Sequence, residues 1–229
     1  MTTTEQGGSL ARTHRGEPGL PRGRAKLPAD EVRAAQRERL VRAIVAATAE
    51  AGYPKVTVAD VVARAKVSRA AFYAHFTDKE DCFFAASLEG RRLMVESITG
   101  QTRALPADTP AERALRVACR AFLGFLAREP EFARLFYIDL LSAGPRAVAR
   151  LEEAQEQFAR LNEVWHQRAR REHPEWPQVP RTAYRAVVGA TTELVRSVVH
   201  NGQTASLPDM EDTLVTLYLA VLAGQRWTA

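Results

Sequence analysis

Near position 70 the sequence combines small side chains with a few polar ones at helical spacing. Ala70, Ala71 and Ala74 share one face of a helix, and Arg69 and Tyr73 flank that face. A face of small residues lets a helix lie deep in the major groove of DNA. There an arginine bonds the edge of a guanine bidentately, and alanine methyl groups meet the methyl group of thymine. The pattern predicts a helix that reads base pairs.

Polar side chains around this face suit the phosphate backbone. Tyr73 and His75 are spaced to bond phosphate oxygens, and Lys79 can do so beside the start of the next helix. Thr57 is placed to contact the phosphate backbone of the DNA from the opposite side of the recognition helix. The alternative is a helical hairpin without a ligand, which two short helices alone would not exclude.

Two short helices must position these side chains. The first is predicted over Val58–Ala65, with Thr57 as its N-cap and Asp60 at the capping-box position. Ser68 is the predicted N-cap of the second, which runs through His75.

Close packing of two short helices needs small residues at their crossing and apolar anchors beneath them. Ala63 and Ala65 are the small residues expected at the crossing. Phe72 and Phe76 are four positions apart, so both are expected to point inward.

The stretch from about Gln36 to Phe84 resembles the N-terminal region of TetR-family transcription regulators. The resemblance is carried by Gly52-Tyr53, Thr57-Val-Ala-Asp-Val-Val-Ala, Val67-Ser-Arg, Phe72-Tyr-Ala-His-Phe76 and Asp78-Lys-Glu-Asp. It implies that the family's DNA contacts fall on Thr57, Ser68, Arg69, Ala71, Tyr73, His75 and Lys79. The sequence departs from the family pattern at Lys66, where glycine is frequent, and at Ala71, where threonine is frequent. The resemblance implies a left-handed backbone at the turn position that Lys66 occupies.

Helical periodicity continues along the rest of the chain, so the expected fold is all-α with about nine helices. We expect a flexible basic arm over 1–28, a helix-turn-helix domain of three helices over 29–80, and a ligand-binding and dimerisation domain over 81–229. Breaks at Glu129-Pro130, Gly144-Pro145 and 174–180 separate the later helices.

Residues 1–28 hold five basic and two acidic residues, a large share of the chain's net charge of +5. A positive arm beside a groove-bound helix can enter the minor groove, and Arg22 and Arg24 are the hypothetical contacts. The alternative role is a solvated leader only.

The middle helices are expected to enclose a pocket for a small apolar or amphipathic ligand, because aromatic residues are dense there. The candidate lining residues are Cys119, Phe122, Phe125, Phe136, Tyr137, Asn162, Trp165, His166 and Thr191. For each aromatic residue, the alternative is an ordinary place in the core.

Apolar stripes on the last two helices predict a homodimer interface of four helices, as the family resemblance also implies. The candidate interface residues are Val187, Gly189, Val195, Leu214, Leu217, Tyr218 and Val221. The alternative is that these stripes pack within one subunit. A dimer would present two copies of the recognition helix to a palindromic operator in double-stranded DNA.

The resemblance also implies an allosteric regulator, with repression as the default and the helix over 79–99 as the lever between ligand and DNA. A DNA-binding helical dimer without an effector is the main alternative. An enzyme is not expected, since the five histidines show no metal-type clustering and no phosphate loop or nucleophile elbow occurs. We expect no cofactor and no metal.

The location of the protein is predicted from its cysteines and its apolar runs. The two cysteines show no spacing pattern, as in reduced cytosolic proteins. The longest apolar stretch, Leu217 to Ala223, is too short to span a bilayer. A cytoplasmic protein that does not enter a membrane is the expectation.

Overall fold

The computed structural model describes residues 8–13 and 28–225, and within these the regular structure is entirely helical. The helices are α1 (Ala29–Ala51), α2 (Val58–Ala65), α3 (Arg69–Tyr73), α4 (Lys79–Arg103), α5 (Ala111–Arg128), α6 (Pro130–Tyr137), α7 (Pro145–Glu172), α8 (Arg181–His200) and α9 (Glu211–Leu222). Short 3-10 turns lie at Ser9–Ala11, Tyr53–Lys55, Asp139–Ser142 and Thr204–Met210. The predicted all-α class is confirmed.

The starts of α2 and α3 have the capping geometry that the sequence predicts. The Thr57 hydroxyl accepts a hydrogen bond from the backbone N–H of Asp60 at 3.3 Å, and the Asp60 carboxylate accepts from the N–H of Thr57 at 2.9 Å. The Ser68 hydroxyl accepts from the N–H of Ala71 at 3.0 Å. These bonds satisfy backbone donors that have no partner inside the helix. Helix α3 is shorter than predicted, because it ends at Tyr73.

Two aspartates satisfy backbone donors at the start of α4. The Asp78 carboxylate accepts from the N–H of Asp81 at 2.8 Å, as expected for an N-cap. The Asp81 carboxylate instead accepts from the N–H of Thr77 at 3.1 Å, one residue before the cap. Both carboxylates still lie at the positive end of the helix.

The described residues divide into two compact units. The first is drawn from Met1–Gly90 and Glu129–Ala147, and the second from Arg91–Arg128 and Val148–Ala229. This division differs from the predicted boundary after residue 80, because α6 and the turn after it return to pack in the first unit. Helices α4 and α7 each belong partly to both units.

The first unit is centred on α1, which packs against α2, α3, α6 and the 3-10 turn at Ser9–Ala11. Leu40 and Ile44 on α1 are fully buried. The ring of Phe132 on α6 lies directly against Gly90 in α4, so close that a Cβ built on Gly90 would be 2.1 Å from a ring carbon. Glycine is required at this position because any side chain would overlap the ring.

The second unit packs α5 against α9 and the turn at Thr204–Met210, and α8 against the same two elements. Its interior includes Val187 and Val195 of α8 and Leu214 of α9, each no more than 1% exposed. Ion pairs join α5 to α9 at the surface, where Arg116 Nη1 lies 3.1 Å from Glu211 Oε1. In the described part of the chain, no helix is both long and apolar enough to cross a bilayer.

Residues 8–13 are ordered against the first unit, which corrects the expectation of flexibility for that part of the arm. The side chain of Leu10 is buried, at 7% exposed. The carboxylate of Glu129, also 7% exposed, accepts hydrogen bonds from the N–H groups of Ser9 at 3.0 Å and Leu10 at 2.9 Å. Arg22 and Arg24, the hypothetical minor-groove contacts, lie outside the described residues.

Candidate functional site

Helix α3 exposes the face that the sequence assigns to base reading. Ser68, Arg69 and Ala70 are exposed, and so is Ala74 just beyond the helix, whereas Ala71 is half-buried. The opposite face is anchored, as predicted, by Phe72 at 0% exposed and Phe76 at 4% exposed. A narrow face of methyl groups beside an arginine therefore projects from a fixed helix.

The turn between α2 and α3 is built on a left-handed residue, as expected. Lys66 has φ 53° and ψ 44°, and the N–H groups of Lys66 and Val67 both bond the carbonyl of Val62. A non-glycine residue in this conformation costs about 1 kcal/mol relative to glycine. The capped start of α3 follows within two residues, so the turn determines the direction of the exposed face.

The prediction for the crossing of α2 and α3 is half right. Ala65 is buried, at 2% exposed, and permits close approach of the two helices. Ala63 is exposed and takes no part in the contact, which corrects the sequence-based assignment. On α2, Val61 is the fully buried residue that faces the core.

The two ring side chains after Phe72 differ in their surroundings. Tyr73 is 56% exposed, so its hydroxyl is free to meet a phosphate. His75 is half-buried, and its Nε2 is enclosed without a hydrogen-bond partner. Burial lowers the pKa of His75, and the charges of Arg33 and Arg37 lower it further. A phosphate contact from His75 would therefore be made by Nδ1 of a neutral ring.

Lys79 is fixed by the turn before α2 and does not extend freely into solvent. Its Nζ donates a hydrogen bond to the carbonyl of Tyr53 at 3.0 Å and lies 4.1 Å from the centre of the Tyr53 ring. Burial lowers its pKa. An ammonium group has three N–H donors, so two remain for a phosphate. Thr57 is exposed at the start of α2, and Asp60 already accepts a hydrogen bond from its hydroxyl.

Two basic residues beside this surface were missed by sequence reasoning. Arg33 and Arg37 are exposed on α1, four positions apart. The positive charge of each lowers the pKa of His75. The guanidinium of Arg37 also lies over the ring of Phe76 at 5.6 Å. Their helical spacing near the start of α1 was the available signal, but only the fold places them beside α3.

A polar cluster in the second unit gathers three of the predicted pocket residues around Tyr218. The pKa of the Tyr218 hydroxyl is influenced by Cys119 of α5, Asn162 of α7 and Thr191 of α8. Burial raises the pKa of Tyr218 to about 12 and that of Cys119 to about 12. Both groups are therefore neutral at pH 7.

Aromatic residues of α5 and α7 lie near this cluster. Phe122 and Phe158 are half-buried and meet edge to face at 6.3 Å. Phe125 is buried, at 8% exposed. Phe158 and Tyr218 pack against the same group of core residues.

Two predicted pocket residues belong to the other unit. Phe136 and Tyr137 are at the end of α6, where their rings meet at 5.2 Å, and each is 6% exposed. Phe136 also packs on Phe132. They form part of the core beneath α1, which corrects their assignment to a pocket with Cys119 and Thr191.

Trp165 and His166 have structural partners within the second unit. The indole N–H of Trp165 donates to the carbonyl of Ala111 at 2.9 Å. His166, at 1% exposed, has its Nδ1 2.9 Å from the hydroxyl of Tyr184. Its ring also stacks on that of Trp176. These contacts are those of a packed core between α7 and α8.

The residues predicted for a dimer interface fall into two groups. Val187, Val195 and Leu214 are buried within their own chain, so their side chains have no surface to offer a partner, and this corrects their assignment. The remaining candidates stay accessible to different degrees: Gly189, Leu217 and Tyr218 are half-buried and Val221 is 38% exposed. A Cβ built on Gly189 would meet no atom within 4 Å.

A family model matches part of the N-terminal half of the chain, and curated relatives match it in part. Residues 40–86 match the model of the bacterial regulatory proteins of the tetR family. The chain is 36% identical to an HTH-type transcriptional regulator of Mycobacterium tuberculosis over 73 residues. The matched segment covers 32% of this chain and 37% of the relative. The chain is also 27% identical to the HTH-type transcriptional activator FasR of Mycolicibacterium smegmatis over 131 residues. That segment covers 57% of each chain. Each match spans less than two thirds of the relative.

Solved structures share the fold over most of the chain. The fatty acid degradation regulator FadR of Bacillus halodurans superposes with a TM-score of 0.73 at 18% identity, covering 84% of this chain and 97% of its own. The transcriptional regulator FadR of Bacillus subtilis, in complex with stearoyl-CoA, has a TM-score of 0.70 at 17% identity, covering 80% and 98%. The capped helix-turn-helix therefore lies in a region, residues 40–86, that matches the tetR family of bacterial regulatory proteins, and the fold of the chain is shared with solved structures of transcriptional regulators.

Proposed function

We propose that the chain is a ligand-responsive, sequence-specific transcription repressor that binds a palindromic operator as a homodimer and is released by a small molecule. The observation that carries the proposal is the exposed face of α3, held by Phe72 and Phe76 beneath it. An arginine, small residues and a tyrosine on one projecting helix match the chemistry of the major groove. The protein would act in the cytoplasm, where bacterial DNA lies.

The DNA contacts follow from this placement. Arg69, Ala70 and Ala71 would meet base edges. Phosphate contacts would come from Thr57, Ser68, Tyr73, His75 and Lys79. We add Arg33 and Arg37 of α1, because their charges lie beside His75. Arg22 and Arg24 remain proposed minor-groove contacts.

A dimer is needed because a five-residue recognition helix offers few base contacts. We propose that the accessible face of α9 joins two subunits. Leu217, Tyr218 and Leu219 are half-buried there and Val221 is more exposed, so apolar surface is left uncovered in one chain. Gly189 of α8 would let the partner approach closely. A symmetric pair would present two α3 helices to half-sites about one helical turn, or roughly 34 Å, apart.

The effector is proposed to bind in the second unit and to be a fatty acyl compound. Two proteins of the same fold are named as FadR, one of them a regulator of fatty acid degradation and the other in complex with stearoyl-CoA. The cluster around Tyr218, with Phe122 and Phe158 nearby, provides apolar surface and a few polar groups. Helix α4 contains Lys79 at its start and continues into the second unit, so it is the proposed lever. Release requires differential affinity for two shapes, typically worth about 1–3 kcal/mol.

Selection of bound sequences from random duplex DNA by the purified protein tests the DNA-binding part. A palindromic consensus with two half-sites is expected. Enrichment of a single half-site would contradict the dimer, and no enrichment in dilute salt would contradict sequence-specific binding.

Titration of stearoyl-CoA into the protein–operator complex tests the effector, with coenzyme A alone as the control. Stearoyl-CoA is expected to release the DNA, and coenzyme A is not. DNA affinity that stays unchanged when stearoyl-CoA binds would contradict the lever. A promoter–reporter assay then gives the sign of regulation, since increased transcription on protein binding, as the name of the activator FasR would suggest, would contradict repression.

A further inference from the structure

One buried hydroxyl group in the second unit has no hydrogen-bond partner among the described residues. Thr191 on α8 is 6% exposed, and its Oγ1 is enclosed without a donor or acceptor. The next residue, Thr192, donates to the carbonyl of Val188 at 2.8 Å, which is the usual way a helical threonine satisfies its hydroxyl. A buried polar group without a partner costs folding free energy, and a bound group that hydrogen-bonds Thr191 would remove that cost.

Tyr218 of α9 links Thr191 to two further polar side chains from other helices. Asn162 of α7 and Thr191 come close enough to the Tyr218 hydroxyl to favour its charged form, and Cys119 of α5 acts on it as well. The approach of Thr191 falls short of hydrogen-bond geometry, since its Oγ1 has no partner. As whole residues Asn162 and Tyr218 are half-buried, whereas the Tyr218 hydroxyl itself lies in the interior. Four helices thus direct polar groups toward one place.

The cluster is electrically neutral. The Tyr218 phenol and the Cys119 thiol are protonated at pH 7, because their ordinary pKa values lie above 7 and burial raises both. The charged groups that act on Cys119 are Arg116 and Glu211, and these pair with each other at 3.1 Å. A carboxylate or phosphate placed among these groups would lose its water without gaining a counter-charge, which disfavours binding.

We propose that Thr191, with Asn162 and Tyr218, binds an uncharged hydrogen-bonding group of an otherwise apolar effector. A hydroxyl group or the carbonyl of an ester, thioester or amide has this chemistry. The hydrocarbon part would lie along the half-buried rings of Phe122 and Phe158. The proposal rests on the proposed function, because it assigns the polar contact made by the effector in the second unit.

The test compares one hydrocarbon chain with different end groups. The probes are palmitoyl-CoA, palmitic acid and hexadecanol, and calorimetry measures their binding to the full chain. Thr191→Val removes the hydroxyl without changing shape, and Thr192→Val is the matched control on the same helix. Hexadecanol and palmitoyl-CoA are expected to bind the wild type at least about tenfold more tightly than palmitic acid. Thr191→Val is expected to weaken them about three- to tenfold, and Thr192→Val less than twofold.

Stability without any probe provides a second readout. Thr191→Val is expected to unfold at the same or a higher temperature than the wild type, because it removes an unsatisfied polar group. A lower unfolding temperature would show that the chain itself satisfies the hydroxyl, which overturns the proposal. Equal weakening by both variants, preference for palmitic acid, or no binding of any probe would also overturn it.

The selected operator separates this outcome from the proposed function. If the wild type and both variants bind the operator but Thr191→Val binds the probes normally, only the assignment of the polar contact fails. If the wild type binds no duplex DNA, the proposed function fails whatever the probes do.

Discussion

The carboxylate of Glu129 accepts a hydrogen bond from the backbone N–H of Leu10 at 2.9 Å, across 119 positions of sequence. Its other oxygen accepts from the N–H of Ser9 at 3.0 Å. Glu129 also follows directly after the last residue of α5. A buried carboxylate of this kind depends on its donors, so the N-terminal segment contributes to the stability of the first unit.

Replacing Glu129 by glutamine is expected to destabilise the first unit by about 1–3 kcal/mol. Glutamine keeps the shape, but its NH₂ group faces N–H donors on the peptide segment. The free energy of unfolding in urea measures the effect, with Glu152→Gln as the control because Glu152 is exposed on α7. Equal stability of the two variants would mean that the segment is not held by the carboxylate.

This docking changes how the basic arm should be tested. Truncation of residues 1–27 removes Arg22 and Arg24, but it also leaves Glu129 without its donors. The double variant Arg22→Ala/Arg24→Ala keeps the docked segment. If both arginines contact phosphate in each subunit of the dimer, the slope of log affinity against log salt is expected to decrease in magnitude by roughly 4. An unchanged slope and affinity would leave these residues without a role in binding.

Arg69 is expected to read one base pair in each half-site. Arg69→Ala should cost about 1–3 kcal/mol per half-site on the selected operator and relax the preference at that position. Arg69→Lys keeps the charge but cannot bond a guanine bidentately, so it should lose the preference while losing less affinity. Fluorescence anisotropy on the operator and its single-base variants measures both. A preference that persists in both variants would rule out this contact.

Gly90→Ala is expected to destabilise the protein by about 1–3 kcal/mol, because the new methyl group overlaps the ring of Phe132. Gly100→Ala in the same helix meets no atom within 4 Å and is expected to gain about 1 kcal/mol from helix propensity. Urea unfolding measures both. A gain in both variants would mean that the ring of Phe132 moves aside freely.

Stability is expected to fall as the pH is lowered below about 6.5, the usual pKa of histidine. Burial lowers the pKa of both His75 and His166 in the folded chain, so the unfolded chain binds more protons in this range. The loss begins at the unfolded pKa and is complete below the folded one.

His75→Gln is expected to flatten this dependence. Unfolding midpoints at pH 7.5, 6.5 and 5.5 give the slope, and His200→Gln, at an exposed position, is the control. Burial raises the pKa of Asp139, so Asp139 changes stability with pH in the opposite direction. This contribution is the same in the wild type and the variant, and it cancels when the two slopes are compared. An identical slope in His75→Gln and the wild type would contradict the contribution of His75.

Local signals predicted the helix-turn-helix well because its geometry is determined by neighbours in sequence. Thr57 and Ser68 cap the helices that follow them, and Phe72 and Phe76 turn inward on a shared face. The left-handed turn at Lys66 was expected from the family resemblance, because glycine is frequent at that position. Such features depend on hydrogen bonds and spacings of three or four residues.

Features that depend on distant parts of the chain were predicted less well. Phe136 was assigned to a pocket, but α6 returns to α1 across some eighty residues. Val187 and Leu214 have the apolar spacing of an interface, and spacing does not show which neighbour covers an apolar face. Leu10 is a single apolar residue without periodicity, so nothing in the sequence indicated that it would be buried.

The thiols of the two cysteines are both buried, each in a different unit. Cys82 is in the first unit and Cys119 is in the second, and burial raises the pKa of both thiols. A thiolate forms only when the surrounding helices part, so alkylation of each sulfur in the native protein reports a separate local opening. Mass spectrometry of the two labelled peptides would therefore give two opening rates from one unmodified chain, and operator DNA should slow the first selectively.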